Sequence, residues 1–155
     1  MPRLREQLAQ FVPWDGLEWT LRLVLAGLFL YASADKVIHP KDFAVIVKAY
    51  HILPDPLANL TALWLPWLEV VVGACLFMGL WTDGALTLAT GLLGVFWVAL
   101  IVNYFRGIDV SCGCFTTSAE EKAPMLWYIG RDALLLALAL FAVEARRRAG
   151  EAAQG

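Results

Sequence analysis

Two cysteines separated by one glycine, Cys112-Gly113-Cys114, are the residues of this chain best suited to chemistry. Side chains two positions apart do not face one another on a helix, so the pair needs a turn, and Gly113 supplies the freedom for one. Such a turn brings the two Cα atoms within the roughly 4.4–6.8 Å that a disulfide spans. So small a ring is strained, and strained, exposed disulfides are the ones that exchange. The pair therefore reads as a redox-active dithiol. Two other readings stand beside it. One is a structural disulfide or two idle thiols. The other is a soft metal site completed by His39 or His51. Those histidines lack tight ligand spacing, so the default makes them solvated loop residues and expects no metal. An attacking cysteine must be a thiolate; Lys36 or Arg106 favours that form and Asp109 opposes it.

A second set of residues stands out because charge appears in apolar surroundings. Glu69 follows Pro66 by three positions in an apolar run, Arg131-Asp132 opens another, and Asp35-Lys36 closes a third. Charge within a bilayer is costly, so such groups face the interior of a bundle. Glu69 is expected to pair with Arg131 or Lys36. The functional reading of Lys36, Glu69, Arg131 and Asp132 is a proton path, or a polar pocket beside the thiols that receives a membrane quinone. The plainer reading is a packing pair that fixes helix register. Arg22 is expected to snorkel toward lipid phosphates. Cys75 lies about 27 Å along its run from the outer end by helical rise, too far to pair with the Cys112 loop, and reads as a small hydrophobe.

The elements that must position these residues follow from composition. Of 155 residues 60% are apolar and 17% charged, with seven tryptophans and a mean hydropathy of +0.65. A soluble domain of this length has too little interior to hide so much apolar surface. The same figures exclude a disordered chain. A net charge of −2 with no basic tract argues against nucleic acid. Four runs approach the roughly 20 residues a bilayer requires: 17–38, 57–81, 84–105 and 125–143. Helices are the form such runs take in lipid. The expectation is an all-α integral membrane protein, a four-transmembrane-helix bundle forming one domain over 1–155. Ala32-Ser33-Ala34 has the look of a signal-peptidase site, but Trp19 and Arg22 within the preceding run argue against cleavage.

Between the runs, residues 41–50 have Phe43, Ile46, Val47 and Tyr50 at helical spacing, which predicts a short interfacial helix. Thr82-Asp83 reads as a tight connection, and the stretch after Glu144 as a polar, frayed tail. Arg146-Arg147-Arg148 directly after the fourth run places both termini in the cytoplasm of a cell inner membrane. The cysteine loop then faces the periplasm. Trp14, Trp19, Trp64, Trp67, Trp81 and Trp127 suit interfacial belts, whereas Trp97 points to the interior. Ala26, Gly27, Ser33, Ala34, Gly91 and Gly94 would permit close helix contact.

The order of these features resembles the DoxX-like superfamily, in the branch of the methylamine utilisation protein MauE. The resemblance covers about Leu17 to Val143. It rests on Arg22, Ala34-Asp35-Lys36, His39-Pro40 and Phe43, then Tyr50-x-x-Leu53-Pro54, Pro66-x-x-Glu69 and Gly73. Asp109-Val110-Ser111-Cys112-Gly113-Cys114-Phe115 and Arg131-Asp132 complete it; the Cys-Gly-Cys-Phe element is the specific part. The chain departs from the pattern at Thr116 and at Ser33-Ala34, where the family commonly has glycine. The resemblance implies membrane redox or disulfide chemistry beside a thioredoxin-like partner, in the maturation of a periplasmic, disulfide-rich client of methylamine-dehydrogenase type. Two functions from different classes result. One is a thiol–disulfide oxidoreductase component working through Cys112 and Cys114. The other is a non-catalytic membrane anchor or assembly subunit in which the pair is a staple. A transporter is a weaker third reading, because no paired broken helices occur.

Overall fold

The computed structural model describes residues 14–108 and 124–154. Five helices make up these residues: α1 (Trp14–Ile38), α2 (Pro40–Ala49), α3 (Asp55–Met78), α4 (Thr82–Phe105) and α5 (Met125–Gln154). Helices α3, α4 and α5 are long and apolar enough to cross a membrane by length and composition. Helix α1 is as long, 25 residues, but carries Glu18, Arg22, Asp35 and Lys36 along it.

Helix α1 packs on α3 and α5, α4 on α5 and α3, and α2 on α3. The main core joins Leu25, Ala26 and Phe29 of α1 with Val72 and Leu76 of α3, Ala85, Leu86 and Ala89 of α4, and Ala139 and Ala142 of α5. Alanine recurs because small side chains let backbones approach. Helices α1 and α3 approach closely at Gly73. A Cβ on Gly73 would lie 2.9 Å from Leu30 Cγ, so only glycine fits there. This corrects the expected small-residue contacts in part. Ala26 and Ser33 are buried, but a Cβ on Gly27, Gly91 or Gly94 would meet nothing within 4 Å.

Three element boundaries differ from the sequence reading. The turn between α3 and α4 lies at residues 79–81, and Thr82-Asp83 forms the first turn of α4 instead of the connection. Gly79 takes a left-handed conformation (φ 72°), and its N–H bonds the Cys75 carbonyl. Asp83 suits a helix N-terminus, where carboxylates meet the positive end of the dipole. The tail after Glu144 is not frayed: α5 continues to Gln154. Alanine, arginine and glutamate are good helix formers, and Ala145 and Ala149 continue the buried face of Ala142 at helical spacing. Arg148 Nε also bonds Glu144 Oε1 at 2.8 Å one turn back, and Arg146 Nε reaches Asp83 Oδ1 at 3.1 Å. Finally, α2 spans Pro40–Ala49 and buries Phe43 and Ile46, with Tyr50 buried just beyond it.

Candidate functional site

Lys36 occupies the last turn of α1, yet it is 2% exposed. Helical side chains lean toward the N-terminus of their helix, which turns this ammonium back into the bundle. There its Nζ donates to both Oε1 and Oε2 of Glu69, each at 2.7 Å. Glu69, on α3, is itself 3% exposed. Glu69 and Gly73 are one turn apart on a single face of α3. The close approach of Leu30 to Gly73 therefore brings the end of α1 alongside Glu69. Lys36 Nζ also lies 5.2 Å from the Phe43 ring centre and 5.4 Å from that of Phe96. Aromatic faces attract a cation and replace part of its lost hydration.

Asp132, from α5, is 2% exposed and completes the cluster. Arg131 holds it through Nε at 3.0 Å and Nη2 at 2.9 Å, both to Oδ1, and lies over the Tyr128 ring at 5.4 Å. Lys36, Glu69 and Asp132 together line a cavity of about 40 Å³, with Phe29, Phe96 and neighbouring leucines as its apolar walls. That is room for a few waters and not for an organic ligand. Tyr50 borders the cluster from outside the spans. Burial pushes its phenol pKa up, the Asp132 carboxylate adds to this, and Arg131 opposes it.

The four polar residues singled out from sequence thus fall into two ion pairs, with Lys36 taken by Glu69 and Arg131 by Asp132. Cys112 and Cys114 lie outside the described residues, as does Asp109. Cys75 is half-buried against the core. It sits one turn before the α3–α4 turn, while the Cys112 segment follows the other end of α4, which is about 30 Å from the level of Cys75 by helical rise. His39 Nδ1 lies 3.4 Å from Asp35 Oδ1 at the surface, and the His51 carbonyl accepts from Arg106 Nη1 at 3.3 Å. Among the described residues no group of three metal-ligating side chains converges.

Arg22 corrects the expectation of snorkelling. It is 7% exposed, 3.8 Å from Glu18 and 4.7 Å over the Trp19 ring. Its guanidinium abuts Gly79, where a Cβ would lie 3.3 Å from Nη1. A carboxylate one helical turn away keeps this cation in the bundle. Glu18 was missed from sequence; its four-residue spacing to Arg22 was the available signal. Asn103 was missed too. It is fully buried near the end of α4, donates to the Ala99 carbonyl at 3.0 Å, and leaves its Oδ1 without a partner. Trp97, as expected, turns inward and donates to the Ile129 carbonyl at 3.2 Å.

Apolar helices of membrane-spanning length around a buried, paired charge cluster define a helical membrane protein. Comparison with known proteins narrows the class. The family described as "Methylamine utilisation protein MauE" matches residues 15–144, and the chain belongs to that family. A methylamine utilization protein MauE of Paracoccus denitrificans is 36% identical over 135 residues, covering 86% of this chain and 72% of the relative. That of Paracoccus versutus is 35% identical over 126 residues, 80% and 67% of the two chains. That of Methylorubrum extorquens is 35% identical over 122 residues, 78% and 64%. No solved structure matches the chain.

Proposed function

We propose that this protein is a four-span inner-membrane component of methylamine utilisation, one domain over 1–155, that exchanges thiol and disulfide through Cys112 and Cys114. The partner is a thioredoxin-like protein, and the client a periplasmic enzyme of methylamine-dehydrogenase type. The relatives' descriptions support the pathway. The observation that carries the mechanism is the position of the Cys-Gly-Cys segment in the chain. It joins the end of α4 to the start of α5, the same end of the bundle at which α1 closes on Lys36 and α3 begins. The two helix ends that flank the segment thereby lie at the end of the bundle that holds the charged cluster.

Burial of its charges supports α1 as the fourth span. Glu18, Arg22 and Lys36 are turned into the bundle and paired, so lipid meets mainly apolar side chains. A second reading is favoured by the complete mutual pairing of Lys36 with Glu69, which suits a rigid anchor. Mixed-disulfide trapping decides between them. With Cys112→Ser or Cys114→Ser, the remaining thiol should hold a thioredoxin-like partner covalently. Full growth on methylamine with both cysteines replaced by serine would leave the anchor reading standing.

A further inference from the structure

A groove of about 260 Å³ runs between α2, α3 and α4 on the flank of the bundle, walled by Phe43, Tyr50, Leu65, Val95, Phe96 and Ala99. Val95, Ile52 and Leu53 on its rim are exposed, so it opens sideways, where the bilayer lies. Its walls are almost wholly apolar, and Tyr50 and Thr61 are the lining residues that carry a hydroxyl. Its volume falls just under the roughly 300–1,000 Å³ of drug-sized ligand sites, the scale of one substituted ring. Leu92 and Phe96 line both this groove and the cavity of Lys36, Glu69 and Asp132. The face of one aromatic residue thus separates a lipid-side slot from a buried set of proton-carrying groups. Tyr50 also belongs to a buried cluster with Ile46 and Leu100, against which Ile108, the last described residue before the cysteine segment, packs.

We infer that this groove is a quinone site: the ring of an isoprenoid quinone enters from the bilayer between Phe43, Tyr50 and Phe96, and its tail stays in lipid. The inference rests on the thiol reading for its electrons. Two thiols lose two electrons and two protons and form one S–S bond; the quinone takes up two electrons and two protons and becomes quinol. Tyr50 is the proton-carrying group nearest the ring, with Asp132, Lys36 and Glu69 behind it. An acyl chain of a phospholipid is the competing occupant; it has no use for a hydroxyl or for the charged groups behind Phe96.

The full-length protein in phosphatidylcholine nanodiscs, titrated with decylubiquinone, tests this. Wild type should bind saturably, beyond the linear partition into empty nanodiscs. Ala99→Phe and the more exposed Val95→Phe should each weaken binding at least tenfold. Val98→Phe, on the outer face of α4, should bind as wild type. Partition alone in the wild type, equal binding by both groove variants, or a co-purified phospholipid that quinone does not displace would each overturn the site. Dithiol-reduced wild type should also form one quinol per chain. Saturable binding without quinol formation overturns the thiol reading and leaves the groove standing. Thiol exchange with a soluble dithiol, without saturable quinone binding, does the reverse.

Discussion

Lys36 and Glu69 hold each other in a place neither could occupy alone. Breaking a buried pair by removing one partner costs about 3–5 kcal/mol, because the remaining charge is left uncompensated. Glu69→Gln should therefore destabilise the detergent-solubilised protein by that order, read as a lowered midpoint of thermal unfolding. Asp83→Asn should cost under about 1 kcal/mol, since its pair with Arg146 is exposed to solvent. Replacing both partners, as Lys36→Met with Glu69→Leu, should recover most of the lost stability. Activity then separates the roles: a double variant that is stable and active makes the pair a packing device, whereas one stable and inactive gives it a share in proton handling. The thiols follow a different logic. Cys112→Ser and Cys114→Ser should each abolish thiol exchange, while Cys75→Ala, half-buried at the other end of α4, should leave exchange within about twofold of wild type. An essential Cys75 would transfer the chemistry to that end.

At the level of helices, the sequence made some features legible and hid others, for physical reasons. Charge within an apolar run announced Glu69, Lys36 and Asp132. It did not announce that Lys36, and not Arg131, takes Glu69. That choice is made by the contact of α1 with α3 at Gly73 and Leu30, a tertiary fact that no local pattern carries. Apolar periodicity located the start of α5 but stopped at Val143, because beyond it the buried face is carried by alanine alone, at Ala145 and Ala149, among charged residues. Glu18 was obscured by lying near the end of its run, where a charge needs no explanation. The Gly73 contact yields its own expectation. Gly73→Ala forces a methyl group to 2.9 Å from Leu30 Cγ, and overpacking of that kind costs about 1–3 kcal/mol. It should lower the unfolding midpoint and loosen Lys36 from Glu69, whereas Gly91→Ala, with nothing within 4 Å of the added methyl, should be neutral or stabilising. Equal midpoints for the two variants would remove the α1–α3 contact from the account of the site.

On the scale of the whole molecule, the four spans proposed above put both termini on one side, and the run Arg146-Arg147-Arg148 after the last helix is the reason to make that side the cytoplasm. A single cysteine introduced near Gly155, in a chain otherwise free of cysteine, should resist an impermeant thiol reagent in intact cells. Labelling at the rate of a known external site would invert the molecule. The ion pairs give the assembly a further property. Glu18 with Arg22, Lys36 with Glu69, and Arg131 with Asp132 are three plus-and-minus couples, and their charges sum to zero. A voltage across the membrane does no work on a neutral couple that shifts as a unit, against about 2.3 kcal/mol per elementary charge per 100 mV for a net charge crossing the full thickness. With all three couples ionised and closed, the interior is electrically silent as a unit: the field finds no net charge there to move, although it acts oppositely on the two halves of each couple. A proton arriving at Glu69 breaks that silence, and from then on the cell's own potential acts on the centre of the bundle.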